Sequence, residues 1–391
     1  MKIAFLTSED ARRPIAWSGT PHYMARALAR EFGEVAYLGP VFSFVDLAGR
    51  VRGRISQALL GRRRPHDHGM ALAREYGAIF RRRIPAGTDL IVAPATSTQT
   101  AFLETDVPIL YTSDATFDLM RDYYPVYSHL APGYARGADE IERRALARAA
   151  LAVYPSEWAA RSAREHYGVP AGRIRVIPYG ANLSKAPTRE EALSAPKDDE
   201  LRLLFVGMNW ERKGGPIVFR TASLLRDAGL PVRLTVCGCV PPPSCRAEWM
   251  EVIPRLDKRI PAEEEALSRL LLAASFLFVP SRSECYGIVF CEASAHGTPS
   301  IATDTGGIAG AVRHGENGFL LPPDASPDDF ARTIAEAFAD RDGYRRLVAA
   351  SRGAYEARLN WDAWARAVRV EAEWLLGGPG PANPRGTQAA S

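Results

Sequence analysis

The stretch "FLFVPSRSECYGIVFCEASAHGTPSIATD", residues 276 to 304, carries the pattern that decides the fold. "FLFVPS" is a short apolar run closed by proline and serine, which reads as a strand buried on both faces. "RSECYG" is a loop, "IVFCEASAHG" a helix and "PSIATD" a second strand. Strand, helix and strand in that order make a βαβ crossover, and therefore a parallel sheet.

The alternation extends in both directions. Upstream lie "LRLLFVGM" and "VRLTVCG" as strands, with "GPIVFRTASLLRDAG" and "AEEEALSRLLLAA" as helices; downstream, "SPDDFARTIAEAFAD" is a further helix. The first half repeats the scheme with the strands "KIAFLTS", "EVAYLGP", "DLIVAPA" and "PILYTSD". There the periodicity predicts a helix over 20–32, "TPHYMARALAREF", with Thr20 as N-cap and Pro21 at the first helical position. "ADEIERRALARAALAVYPS" follows as a helix running into a strand, "EWAARSAREHYGVP" as a helix, and "IRVIPYGAN" as a strand. Residues 185–200, polar and proline-containing with no apolar face, read as a linker.

At 391 residues the chain is too long for one ordinary core. The expected organisation is an α/β protein with two Rossmann-like, doubly wound domains, residues 1–190 and 200–358. A C-terminal helix over 359–376 returns toward the first domain, and 377–391 form a flexible glycine- and proline-rich tail. Doubly wound domains bind ligands at the C-terminal ends of their strands, so the expected site is the cleft that the two domains face.

The bulk numbers exclude several classes. A net charge of +4 with 24% charged residues is ordinary for a globular protein, and general nucleic-acid binding is not suggested. No run of 18 apolar residues occurs, and "MKIAFLTSED" reads as a first buried strand rather than a signal peptide, which leads us to expect a cytoplasmic protein. Cys237, Cys239, Cys245, Cys285 and Cys291 are odd in number, so disulfides are not expected. "CGCVPPPSC" lacks a fourth ligand and the spacing of a zinc site, and no metal is expected.

Chemistry-bearing residues fall on the strand ends. Glu284 precedes the helix of the opening stretch and Glu292 lies about two turns inside it; between them Gly287, Ile288 and Val289 offer free backbone N–H groups, suited to a phosphate or a developing oxyanion. A carboxylate grips sugar hydroxyls well, although singly each glutamate reads more simply as a cap or a solvated helix residue. "FVGMNWERKGG", 205–215, sets Arg212 and Lys213 on a loop that opens a helix, where cations and amides can converge on a diphosphate. Gly306 and Gly307 can form a close-approach loop, while Gly315 and Gly318 read as turn chemistry. In the first half, Gly19 stands between a strand and a helix without the G-x-G-x-x-G pattern, and Asp114 ends the strand "PILYTSD". His22 reads equally as a surface helix residue or as a ligand contact.

Residues 50–83 hold Arg50, Arg52, Arg54, Arg62, Arg63, Arg64, Arg74, Arg81, Arg82 and Arg83 against Asp67 and Glu75. Such a segment can lie weakly on an anionic membrane, placing the protein at its inner face, although a solvated arginine-rich surface is the simpler reading.

Taken together, "PSRSECYGIVFCEASAHGTPSIATDTGGIAGAVRHGENGFLLPP" resembles the signature of glycosyltransferase family 4, with Glu284 and Glu292 meeting its E-x7-E spacing. "FVGMNWERKGG", "VIPYGANL" and the glycine after the first strand extend the resemblance over most of the chain. It implies a GT-B fold and retaining transfer of a hexose-type sugar from a nucleoside-diphosphate sugar to a hydroxyl acceptor of unknown identity, without metal or other cofactor. It further implies that Glu292 holds the ribose hydroxyls, Glu284 meets the donor sugar and Lys213 neutralises the leaving diphosphate. The amides of Gly287 and Ile288 would bind sugar or phosphate, Gly19 would approach the diphosphate, and Arg255 and Leu256 would flank the base. The chain departs from the family at Met208, where many members carry an arginine whose charge Arg212 can share, and at Asp114, where many carry a histidine. Cys285 and Tyr286 replace a common Gly and Phe. Two other readings stay open: a same-fold nucleotide-sugar enzyme that is not a glycosyltransferase (an epimerase or a carbon–nitrogen-forming relative), and an oxidoreductase, which the missing dinucleotide fingerprint disfavours.

Overall fold

The computed structural model describes residues 1–60, 65, 67–194 and 200–377. Backbone packing divides the chain into two units. Unit 1 comprises Met1–Tyr154, Ser162–Ile177 and the chain from Trp361; unit 2 comprises Pro155–Arg161 and Pro178–Asn360.

Unit 1 runs β1 (Ile3–Phe5), α1 (Thr20–Phe32), β2 (Val35–Tyr37), α2 (Phe44–Leu60), α3 (Met70–Arg81) and β3 (Leu90–Pro94). Then come α4 (Ser97–Thr100), β4 (Ile109–Thr112), α5 (Phe117–Met120), α6 (Pro132–Arg148), β5 (Leu151–Tyr154), α7 (Glu157–Glu165, whose residues up to Arg161 belong to unit 2) and β6 (Ile174–Val176). The strands form one parallel sheet in the order β2-β1-β3-β4-β5-β6. Every residue of β3, β4 and β5 is buried, as their unbroken apolar runs require of strands covered on both faces.

Unit 2 begins with α8 (Arg189–Ser194), β7 (Leu201–Val206), α9 (Gly215–Asp227), β8 (Val232–Cys237), β9 (Met250–Ile253), α10 (Pro261–Ala273) and β10 (Phe276–Val279). It continues with α11 (Ile288–Ala295), β11 (Ser300–Thr303), β12 (Gly318–Leu321), α12 (Pro327–Ala339) and α13 (Arg341–Ala357). Its parallel sheet has the order β12-β11-β10-β7-β8-β9. Phe205, Phe276, Phe278, Ile301 and Phe330 fill the core between sheet and helices. Each such side chain contributes roughly 1.5–3 kcal/mol on leaving water.

The last helix, α14 (Trp361–Leu375), belongs to unit 1. It packs on α1 and is tied there by charge, Arg30 to Asp362 at 2.5 Å and Arg369 to Glu31 at 2.5 Å, and it is tied to β6 by Arg175 to Glu371 at 2.8 Å.

Three local readings change. Helix α1 spans the residues expected, but Gly19 is its N-cap and Thr20 its first residue, because a left-handed φ of 88° at Gly19 turns the chain into the helix. Within the expected linker 185–200, residues 189–194 are helical. Thr188 and Glu191 form a reciprocal capping pair (Thr188 N–H to Glu191 at 2.7 Å, Glu191 N–H to the Thr188 hydroxyl at 3.1 Å), and Ala192 is buried. Residues 195–199 lie outside the described residues, as do 378–391 of the expected tail and Arg62, Arg63 and Arg64. Finally "MEVI" is an edge strand, β9, although its alternation is too short to register in the sequence. No disulfide joins any of the five cysteines.

Candidate functional site

Strand order places the site in unit 2. Read from its other edge, the sheet runs β9-β8-β7-β10-β11-β12, so consecutive connections leave β7 and β10 in opposite directions. The crevice outside the carboxyl ends of those two strands is the topological switch point of a doubly wound sheet. The loop after β7 carries Arg212 and Lys213; the loop after β10 carries Glu284.

Backbone contact draws these loops together. Gly214, at φ 78°, lies so close to the Pro280 carbonyl that any Cβ there would collide with it. The Arg282 N–H donates to the Arg212 carbonyl at 2.8 Å. As a result Lys213 Nζ pairs with Glu284 Oε2, Arg212 Nη1 stands 3.8 Å from the same oxygen, and Arg212 Nη1 donates to the Ser283 carbonyl at 2.7 Å. Ser281 Oγ donates to Glu284 Oε2 at 3.3 Å. The third loop, after β11, closes on the same segment: Gly307 N–H donates to the Glu284 carbonyl at 3.2 Å, the close approach expected of the Gly306-Gly307 pair.

Glu284 leads directly into α11, whose N-cap is Gly287 at φ 86°. Ile288 and Val289 open the helix, so their N–H groups have no intrahelical acceptor. From Phe290 to Ala295 every residue of α11 is buried, Glu292 among them. The solvated reading of Glu292 therefore fails. A buried carboxylate is costly unless paired, and Lys258 supplies the partner, with Nζ donating to Glu292 Oε1 at 2.6 Å and to the Asn182 carbonyl at 3.3 Å.

Lys258 is the residue that sequence reasoning missed. It lies two residues beyond Leu256, next to the pair Arg255 and Leu256 that the resemblance sets against the base. Arg255 is exposed and Leu256 half-buried, whereas Lys258 reaches the carboxylate. A lysine immediately beyond a strand-end loop was the available signal, and pairing across 34 residues is not visible locally.

Cys285 and Tyr286 are both buried. Tyr286 is buried, its hydroxyl donates to the Tyr179 carbonyl at 3.1 Å, and burial holds its pKa well above the usual value. Burial pushes the neighbouring Cys291 thiol up to about 12, so a thiolate nucleophile is unavailable there.

In unit 1 the switch point lies between β1 and β3. Gly19 sits on the loop that follows β1, behind Trp17 and Ser18, which also have positive φ. Beyond β3 the run Thr96–Thr100 is buried, and Gln99 Nε2 donates to Ser8 Oγ at 3.0 Å, bridging the two strand ends. Those two residues were also missed. Asp114, half-buried, follows β4, one strand away from the switch point. His22 contacts the Ala11 carbonyl at 3.1 Å through Nδ1, a satisfied helix histidine. Asp118, Asp139 and His166 bring three ligand atoms within 4.8 Å of one another, but they serve a polar network. His166 Nε2 is 2.9 Å from Asp139, Tyr167 donates to Asp139 at 2.9 Å, and Arg121 pairs with Asp118 at 2.7 Å. Burial would raise the Asp139 pKa, but the hydrogen bonds from His166 and Tyr167 outweigh it and hold the carboxyl below its ordinary value.

Residues 200–340 match the family model described as Glycosyl transferases group 1, and residues 21–185 match the model of Glycosyltransferase Family 4. The D-inositol 3-phosphate glycosyltransferase of Nocardiopsis dassonvillei is 33% identical over 245 residues, covering 58% of this chain and 55% of that protein. The chain thus spans about half the length of the curated relatives it matches. Among solved structures, sucrose-phosphate synthase from Thermosynechococcus elongatus gives a TM-score of 0.64 at 20% identity, covering 96% of this chain and 98% of that one. HepE from Anabaena, in complex with UDP and glucose, gives 0.60 at 17% identity, covering 94% and 98%. At such identities the likeness shows the fold, which is GT-B, with its two six-stranded parallel sheets.

Proposed function

The chain belongs to glycosyltransferase family 4, and from that premise we propose that it moves a hexose-type sugar from a nucleoside-diphosphate sugar to a hydroxyl acceptor with retention of anomeric configuration. The observation that carries this reading is the convergence of Lys213 and Arg212 on Glu284, beside the open N-terminus of α11.

That arrangement suits departure of a diphosphate. As the bond between the anomeric carbon and the phosphate oxygen breaks, negative charge grows on the leaving group. Fixed cations and helix N–H groups stabilise it without reorganising. Lys213 and Arg212 supply that charge from the protein itself, which supports transfer that is independent of metal. The donor then displaces Glu284 from Lys213, freeing the carboxylate to accept hydroxyls of the sugar. Glu292, oriented by Lys258 through one oxygen, offers the other to the ribose. The base lies by the Arg255–Leu256 loop. The acceptor oxygen attacks the face that the diphosphate leaves, and its proton passes to a phosphate oxygen of the departing group.

The nearest assay pairs come from the relatives' names. HepE was solved with UDP and glucose, and the curated relatives are named for D-inositol 3-phosphate. UDP-hexoses and D-inositol 3-phosphate are therefore the first donor and acceptor to test, with UDP release as readout and EDTA present throughout. Acceptor-dependent release, with the product's anomeric configuration matching the donor's by NMR, is the expected result. Inversion, or sugar-nucleotide turnover without glycosyl transfer to any acceptor, overturns the reading.

A further inference from the structure

The segment after β2 carries an unusual surface. Phe42 and Phe44 are 69% and 74% exposed and meet edge to face with ring centroids 4.9 Å apart; Leu47 and Val51 are 53% and 52% exposed. On α2, Phe44, Leu47, Ala48 and Val51 are all exposed and spaced i, i+3, i+4 and i+7, so they line one outward stripe. A surface helix ordinarily does the reverse, turning its apolar stripe inward.

The other side of α2 is small and polar. Gly49 and Gly53 are half-buried and Ser56 is buried. Ser43 anchors the helix start, accepting the Asp46 N–H at 2.9 Å and donating to Glu75 of α3. The helix is thus held by its polar side with its apolar side outward, and contiguous exposed apolar surface of this kind marks a docking site.

Charge decides what docks. Between Phe44 and Leu60 the sequence has Arg50, Arg52 and Arg54 against the single acid Asp46, and Arg54 is exposed. A second copy docked by two-fold symmetry would set this basic helix against itself. An anionic lipid surface accepts both the stripe and the arginines, the combination found in helices that lie in a membrane interface. Among the described residues no helix is long and apolar enough to cross a membrane.

We propose that the outward face of α2, with Phe42, Phe44, Leu47 and Val51, docks on a membrane surface containing anionic lipid. The surface differs from the whole arginine-rich segment read from the sequence. Arg74 lies over the Phe102 ring, Arg81 pairs with Glu104 at 3.0 Å and Arg83 donates to the Leu38 and Pro40 carbonyls, so these arginines serve the fold of unit 1.

Co-sedimentation with vesicles of phosphatidylcholine, with and without phosphatidylglycerol, tests the proposal. The expected result is binding to the anionic vesicles that falls as salt rises above ~0.15 M. The combined Phe42→Ser, Phe44→Ser and Leu47→Ser variant should bind at least about tenfold more weakly, the factor that corresponds to about 1.4 kcal/mol. Arg54→Glu should weaken binding less, while both variants keep the far-UV spectrum and melting temperature of the parent. If the triple variant unfolds, Arg54→Glu alone decides. Equal binding to neutral vesicles, binding unchanged by the substitutions, or a dimer in sedimentation velocity that the triple variant dissociates overturns it.

Discussion

The two sheets solve one topological problem with different side chains. At the switch point of unit 2, between β7 and β10, stand charges: Arg212 and Lys213 against Glu284, with Lys258 against Glu292 farther along. At that of unit 1, between β1 and β3, stand an amide and hydroxyls, with Gln99 donating to Ser8 beside buried Thr96 and Ser97. The same strand geometry thus presents paired charges in one unit and uncharged hydrogen-bonding groups in the other. The difference teaches that these sheets position a site, whereas the loop residues decide its ligand.

Substitutions can break that contrast. The largest effect is expected for Lys213→Met, which removes the cation paired with Glu284. Turnover should fall by roughly 10²–10³-fold, the size seen when a charge-stabilising donor is lost, and an unchanged kcat would remove Lys213 from the chemistry. Lys258→Met comes next. It strands a buried carboxylate at a cost of roughly 1–3 kcal/mol, read as a lower melting temperature and weaker nucleotide binding. Adding Glu292→Gln should recover stability without recovering nucleotide affinity. Recovery of both would reduce the pair to a structural role.

Gln99→Leu in unit 1 removes the amide that donates to Ser8 and is expected to lower stability by roughly 0.5–1.5 kcal/mol, read as a lower melting temperature, leaving donor affinity as it was. A change in donor affinity instead would erase the division between the two units. The smallest effect concerns strain. Ser18, exposed at φ 56°, pays for a left-handed backbone that glycine adopts freely. Ser18→Gly should therefore raise stability by at most ~1 kcal/mol, and a lowered melting temperature would show that the hydroxyl matters more than the backbone.

Much of this was legible locally. The strand and helix identities followed from apolar runs bounded by glycine and proline, and α1 ran over the expected residues because Gly19 and Pro21 mark its start. Arg212, Lys213 and Glu284 were legible because each lies on a loop that follows a strand. Lys258 was passed over because its partner lies on another element, and Gln99 because an uncharged residue at a strand end carries no signature of its own. The helix α8 was missed because a capping pair, Thr188 and Glu191, supports it where no amphipathic face announces it. The arginine-rich segment was read as one surface, although Arg74, Arg81 and Arg83 turn to partners within unit 1.

By itself the sequence determined the α/β class, the two rounds of alternation and the family, because these rest on periodicity and on residues close together in the chain. The tertiary structure decided the strand order, and through it which strand ends share a crevice. It also decided that Glu292 is buried and paired with Lys258, and that the apolar stripe of α2 points outward. Those outcomes depend on contacts between elements far apart in sequence, where burial sets whether a charge must be paired and packing sets which face of a helix meets water.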